Sequence, residues 1–478
     1  MRYLSATTLG ATLASASTIQ GTVAVQADPA FRAPAIPLLT TDPFTQTWIR
    51  GDTSTSTGVS HWDGTPKTTN ILLRIGSANG DVEAYQLLGV CTPQEPDAPG
   101  PEQDLGLAHD VSPGSHDIAN FENLSSDDCN RKCYGTAGCL AYVMYTHGSG
   151  STCYLKSAAS PVVPTIGTKH AYLIDPSQQQ CTHNVTAASQ QAVHIEPTRT
   201  VFELTAGNAN VNLTFLSTMF TDDYERLSRP AYYVDVAVSG AHSATVYAGF
   251  SAEYAVNVDT QQVNWGSSSS PNDIFIGNAD QKVLGSKGDG VNIDWGYLHL
   301  LGNGDGAELF AGSLADAVDA FLVNGSIPAT ADTRAPRAVS DDLPGLSTVV
   351  PVPENGHATI VLGYDDVKSV RYFGDDYPGF WTQSYSNITD AMVQAANEFD
   401  AMLEKSVQHD AELVDVLTEV GGSEYAQLCA LSYRQTLAAT KLVWNTNRSV
   451  MWNFLKEIST NGDMSTMDVI YPASPMLL

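Results

Sequence analysis

The sequence predicts a multidomain β-plus-α protein: an antiparallel β-sandwich, a small disulfide-rich insert, and a helical region at the C-terminal end. Three observations predict it. Runs such as "TRTVFELTAGNANVNLTF" and "AYYVDVAVSGAHSATVYAGF" alternate apolar and polar residues between Gly-rich turns, as the half-buried strands of a sandwich do. Six of the seven cysteines fall between residues 91 and 181. From Thr389 the apolar period becomes helical, through Met392, Ala395, Phe399, Met402 and Leu403.

A chain of 478 residues is too long for one ordinary domain, and 43% hydrophobic with 9% aromatic residues is enough for packed cores. Its 52 acidic against 23 basic side chains leave a formal charge of −29. Such a surface repels phosphates and anionic membranes, so nucleic acid is not an expected partner.

Residues 1–27 read as a signal peptide. Arg2 supplies the positive end, Tyr3 to Val25 carry no charge, and small residues precede Asp28. That stretch is too polar to rest in a bilayer, and no later run of ~18 apolar residues appears, so secretion without a membrane span is expected. The glycosylation triplets at Asn123, Asn184, Asn212, Asn324, Asn387 and Asn447 agree with secretion.

Residues 28–90 hold short strands such as "NILLRIG". The Pro- and acid-rich "CTPQEPDAPGPEQD" then opens an insert over 91–183, containing Cys91, Cys129, Cys133, Cys139, Cys153 and Cys181. In a secreted chain this density signals disulfides rather than zinc, and spacing alone leaves the pairing open. Cys129 and Cys133 are spaced to share one helix face. Residues 184–383 carry the main strands, and 384–478 the helices. Gly421 and Gly422 should end the first long helix. Tyr425, Leu428, Cys429, Ser432 and Thr436 line one side of the next, with Cys429 expected as a buried small hydrophobe.

No G-x-S-x-G elbow, H-E-x-x-H pair or Walker loop is present. "GNGDGAE", with Asp305 and Glu308, lacks the EF-hand order and reads as a turn. Neither a metal site nor a cofactor is expected.

The block "GGSEYAQLCALSYRQTLAATKLV…STNGDMSTMDVIYPASP" resembles the opening of the helical domain in the secreted glutaminase A family. The elements Asp42-Pro43-Phe44 and His61-Trp62, with "EPTRTVFELTAG", "LSRPAYYVDV", "KVLGSKGDGVNIDWGYL" and "GYDDVKSVRYFG", resemble its β domain in the right order. The core "DDCNRKCYGTAGCLAYVMYTHGSGSTCYLKS" is similar to a PAN/apple module. That similarity implies Cys129–Cys153 and Cys133–Cys139 pairs, with Cys91–Cys181 joining the module's ends, and a carbohydrate or protein ligand.

The family resemblance implies hydrolysis of L-glutamine to L-glutamate and ammonia outside the cell, with glutamine as the small-molecule substrate. It also implies that the helical hairpin opens an (α/α)6 six-hairpin toroid. Roughly 90 residues follow the sandwich, room for two or three helices. The toroid is therefore expected to be incomplete here, C-terminally truncated relative to the family, and this form to be at risk of inactivity.

Amide hydrolysis needs an activated nucleophile, an oxyanion stabiliser and an acid for the departing ammonia. The carboxylates on family motifs are Glu457 and Asp468, eleven residues apart across a turn, as candidate catalytic groups. Asp365 and Asp366, with Arg434 for a substrate carboxylate, are candidates for substrate binding. Asp468 also reads as a turn cap, and Asp365, Asp366 and Arg434 as braces between domains. Two other functions stay open. One is a six-hairpin glycoside hydrolase using aromatics such as Trp444 or Trp452. The other is a non-catalytic extracellular binding protein built around the insert.

Overall fold

The computed structural model describes residues 33 and 35–473, less 43, 56, 78, 90–101, 108, 112–115, 135–138, 140, 149, 158–161, 165–168, 175–184, 269, 271, 285–291, 446, 457–463 and 472. The signal peptide, Cys91, Cys181, Asn184 and Glu457 lie outside the described residues.

Two sheets face each other. The nine-stranded sheet runs in the order Ser189–Ile195, Arg199–Ala206, Ala209–Leu216, Ala231–Ser239, His357–Asp365, Tyr297–Leu301, Asp273–Asn278, Gln262–Ser267 and Arg337–Ala338. The six-stranded sheet runs Thr186–Ala187, Val82–Leu88, Thr69–Gly76, Ser243–Ser251, Pro344–Val352 and Glu308–Ser313. Strand Arg199–Ala206 shows why these segments pair: every second residue, from Thr200 to Ala206, is buried. Phe202, Leu213, Val234 and Ile360 from one sheet meet Ile71, Leu73, Val246 and Phe250 from the other in one core, as aligned sheets do. Gly207 turns the hairpin between its strands at φ 57°, and a Cβ there would come 2.7 Å from the Tyr85 hydroxyl. A side chain at that position would meet both backbone strain and a clash.

The insert leaves after Val82–Leu88. The chain returns as Thr186–Ala187, which pairs in parallel with the departing strand (Thr186 opposite Tyr85). Between them stands a five-stranded sheet with α1 (Ser126–Tyr134) packed on one face. Cys129 bonds Cys153 and Cys133 bonds Cys139, and the four sulfurs share a small core with Tyr142, Met144 and Leu155. A core of that size ordinarily needs such cross-links.

Short helix α2 (Tyr224–Ser228) precedes strand Ala231–Ser239. Helix α3 (Leu314–Asn324) starts at Ser313, whose Oγ accepts from the Asp316 N–H, and ends at left-handed Gly325. Helix α4 (Ile388–Asn397) lies on the outer face of the nine-stranded sheet, and Asn387 caps it. The approach is close because Gly363 has no side chain: a Cβ there would come 2.5 Å from Met392 Sδ.

Helices α5 (Phe399–Gly421) and α6 (Ser423–Ala438) form an antiparallel hairpin broken at Gly422. The buried side of α6 is Ala426, Ala430, Leu431, Arg434 and Ala438. This corrects the expected face: Tyr425 and Leu428 are exposed, and Cys429 is half-buried. Small alanines let α6 approach closely; of its larger apolar residues Leu431 is buried, while Tyr425 and Leu428 point away. A β-hairpin, Thr440–Trp444 with Met451–Leu455, then follows in place of a further helix, before short α7 (Met467–Ile470). Among the described residues no helix is long and apolar enough to cross a membrane. Asn123, Asn212, Asn324, Asn387 and Asn447 are exposed.

Candidate functional site

Four segments far apart in sequence meet beneath the C-terminal hairpin. Strand Thr440–Trp444 carries Lys441 inward, where its Nζ lies 2.6 Å from Asp42 Oδ2 and 2.8 Å from Asp366 Oδ2. Asp42 is fixed by a turn in which its Oδ1 accepts the Phe44 N–H at 2.9 Å. Asp366 follows the end of strand His357–Asp365 and accepts from Ser369 Oγ at 3.0 Å. The paired strand ends next to Lys456, whose Nζ stands 4.5 Å over the Phe44 ring. Phe44 in turn packs edge-on against Trp295. Tyr232 donates to or accepts from Thr45 Oγ1 at 2.6 Å, and the Tyr364 hydroxyl donates to the Trp295 carbonyl.

Asp42, Asp366 and Lys456 are buried, and Lys441 is nearly so. Burial pushes the Asp42 carboxyl up, but Lys441, Lys456 and the bonds from Lys441 and Phe44 outweigh it and hold the group below its ordinary range. Burial likewise works against the Lys441 ammonium, and Asp366 and Asp42 more than reverse it, so Lys441 stays charged. For Lys456 burial wins. It brings the amine down to about 8, with Lys441 adding to the effect and Asp42 and Asp366 opposing it. A small cleft adjoins the cluster, lined by Thr41, Asp42, Ser228, Thr440 and Lys441, with Leu227, Pro230 and Leu442 as its apolar wall. The Thr41 hydroxyl there is buried with no partner among the described residues. Asp42 and Lys441 present a carboxylate and an ammonium to this cleft, while Asp366 and Lys456 stand outside its lining.

The other candidate residues are distributed differently. Asp365 does not join the ion pairs: its Oδ1 accepts the Val367 N–H, and burial raises its carboxyl. Arg434 is fully buried, and all three nitrogens are used within the fold. Nε donates to Thr40 Oγ1, one terminal nitrogen to Thr200 Oγ1 at 2.6 Å, and the other to the Leu38 carbonyl at 2.9 Å. Asp468 is exposed in the first turn of α7. Trp444 stacks on Phe380, and Trp452 packs against Tyr377. Glu308 accepts from the Ile327 N–H. Lys441 and Lys456 were not singled out from the sequence, although both sit inside family-like segments. The available signal was a lysine flanked by apolar residues, in "TKLVW" and "NFLKEI".

The profile of a domain of unknown function (DUF5127) matches residues 198–415, and that of the glutaminase A six helical-hairpin domain matches 422–478. The second match includes Lys441 and Lys456, and the first includes Asp366. Similarity extends to Glutaminase A of Aspergillus oryzae, 26% identical over 310 residues, covering 62% of this chain and 44% of that protein. A protein named "Probable glutaminase" from Arthroderma benhamiae is 23% identical over 310 residues, covering 58% of this chain and 34% of its own length. The chain is related to the glutaminase A family. It spans less than half the length of these two relatives.

Proposed function

We propose that this chain supplies the β-sandwich and the first helical hairpin of an extracellular glutaminase that converts L-glutamine to L-glutamate and ammonia. The observation that carries this reading is the buried Asp42–Lys441–Asp366–Lys456 cluster. It gathers family-like segments from both halves of the protein around a polar cleft. The kinship with glutaminases supports the substrate class. The disulfides and the exposed glycosylation triplets support secretion.

In this reading Glu457, next in sequence to Lys456, and the exposed Asp468 are the acid–base pair. One carboxylate takes a proton from water as its oxygen bonds to the amide carbon. The C–N bond then breaks, and the nitrogen leaves as ammonia with a proton from the other group. Arg434 acts as a brace and Asp366 as an anchor for Lys441. The disulfide-bonded insert acts as a PAN/apple-like module for a glycan or protein ligand.

The test is ammonia release from L-glutamine. It is run on this chain and on a chimera continuing into the six-hairpin domain of the Aspergillus oryzae relative. Activity is expected at least in the chimera, and E457Q or D468N should lower kcat by about 100-fold or more. A folded chimera that releases no ammonia, or one indifferent to both substitutions, overturns the corresponding part of the proposal.

A further inference from the structure

On the outer face of the nine-stranded sheet, His357 stands between two carboxylates from different elements. Its Nδ1 lies 2.7 Å from Oδ1 of Asp235, on the neighbouring strand Ala231–Ser239. Its Nε2 lies 3.6 Å from Oδ1 of Asp400, in the first turn of α5. Asp235 is buried and Asp400 is exposed. Thr359 Oγ1 donates to the same Asp235 oxygen at 2.8 Å, and the Phe399 ring lies tilted against the imidazole, 5.6 Å between centres. Phe399 also packs on Tyr233, so His357 sits at the seam where α5 meets the sandwich. Glu398, which precedes α5, gives the helix no side-chain cap; its carboxylate is held by Arg226 and Arg229.

The protonation state of His357 decides whether this seam is cross-linked. An imidazolium has two N–H donors, one for each carboxylate. The neutral ring has one. Asp235, nearer and buried, takes it, and Nε2 is left as a lone pair facing the Asp400 carboxylate, acceptor against acceptor. We propose that His357 is a proton-operated clasp: its cation ties the first turn of α5 to the sandwich, and loss of the proton releases that turn at Asp400. The clasp goes beyond the glutaminase reading and does not rest on it.

The other elements packed on strand His357–Asp365 bring few charges. Strand Pro344–Val352 has none, His299 of Tyr297–Leu301 bonds to Asp273, and Asp390 of α4 bonds to Asn387. Glu354, in the preceding turn, is exposed. Asp235 and Asp400 are the charges that act on His357. The bond to Asp235 raises the imidazole above its ordinary value; burial opposes the rise, and the two carboxylate charges add to it. Burial raises the Asp235 carboxyl too, against the bonds from His357 and Thr359. Both shifts favour a proton in the folded state. The histidine contribution is therefore complete below about pH 6.5, the unfolded value, and is lost as pH rises through the folded one.

Amide hydrogen exchange of the intact chain, read over the first two turns of α5 between about pH 5 and about pH 9, tests this. Each variant is compared with wild type at the same pH, which cancels the intrinsic pH dependence of exchange and the titration of Asp410. H357Q keeps a donor for Asp235 but does not titrate. Wild type should be roughly threefold or more better protected than H357Q at the acid end, and this advantage should vanish at the alkaline end. D400N offers the neutral ring an amide donor, so α5 in D400N should not loosen as the ring loses its proton. Amides of strand His357–Asp365 should be protected alike in all three proteins. An advantage over H357Q that stays constant with pH makes His357 a packing residue and overturns the inference. D400N with the full wild-type pH dependence also overturns it, and this exposed substitution keeps the test open if H357Q fails to fold.

Discussion

Two buried charged junctions join the helices and C-terminal hairpin to the sandwich, and they are completed to different degrees. At the first, Asp410 of α5 accepts the Thr198 N–H at 3.0 Å, the Thr198 hydroxyl, and Arg199 Nε at 3.0 Å. Arg434 of α6, close by, uses all three nitrogens on Thr40, Thr200 and Leu38. At the second, Lys441 joins Asp42 and Asp366, but among the described residues the Lys456 amine meets a ring face and no acceptor. Burial and charge are common to both, so neither property marks a site. The difference is completion. A closed network braces a fold, whereas an open member invites a ligand or a proton.

The largest expected effect breaks the closed part of the second junction. K441M leaves Asp42 and Asp366 buried without their shared cation and should cost about 3–5 kcal/mol in chemical denaturation. A loss below ~1 kcal/mol would mean that the carboxylates reach water and that the cluster is not a brace. R434M strips hydrogen bonds from Thr40, Thr200 and Leu38 at the first junction. A loss of about 3 kcal/mol is expected, with no change in ligand affinity, because Arg434 is fully buried and each of its nitrogens bonds within the fold. Weaker glutamine binding in a stable R434M would restore a substrate role to this residue.

This contrast was only partly legible in the sequence. The sandwich was, because strands such as Arg199–Ala206 alternate strictly and the pattern needs no distant information. The break at Gly422 was legible for the same reason. The buried face of α6 was not. Tyr425 and Leu428 gave the stronger apolar signal, yet the fold buries Ala426, Ala430 and Ala438, where smallness rather than hydrophobicity decides the approach. Lys441 was invisible as a site residue because its partner Asp42 lies 399 positions away. In "TKLVW" alone it reads as an ordinary lysine on a strand. Arg434 stood out as a charged residue in a signature, but only the fold reveals that each of its nitrogens bonds to Thr40, Thr200 or Leu38. Composition exposes what a residue offers; whether the offer is already taken depends on long-range packing.

A smaller, pH-dependent effect separates the junctions further. Burial pushes the Asp410 carboxyl up to about 7, with Glu196 adding, while Arg199 and the bonds from Thr198 and Arg199 oppose the rise. In the unfolded chain the same group returns to an ordinary value near ~4. Between those values the folded state holds a proton that the unfolded state has lost, so this group's contribution to stability declines as pH rises from about 4 to about 7. D410N carries no titrating group, so the difference between its melting-temperature profile and that of wild type should change across this window. Parallel profiles would remove Asp410 from the account.

The smallest expected effect is also the most discriminating. K456M replaces an amine that has no acceptor among the described residues with an apolar side chain over Phe44. Stability should therefore stay within about 1 kcal/mol of wild type, with a gain as acceptable as a loss. K67M makes the same chemical change at an equally buried lysine, but it orphans the Glu253 carbonyl and removes the cation beside Glu253 and Asp63. It should cost roughly 2 kcal/mol or more. Burial pushes both amines down to about 8, so a difference between the variants has to come from completion of the hydrogen-bond shell. If K456M proves as costly as K67M, Lys456 has a structural partner after all, and the second junction is as closed as the first.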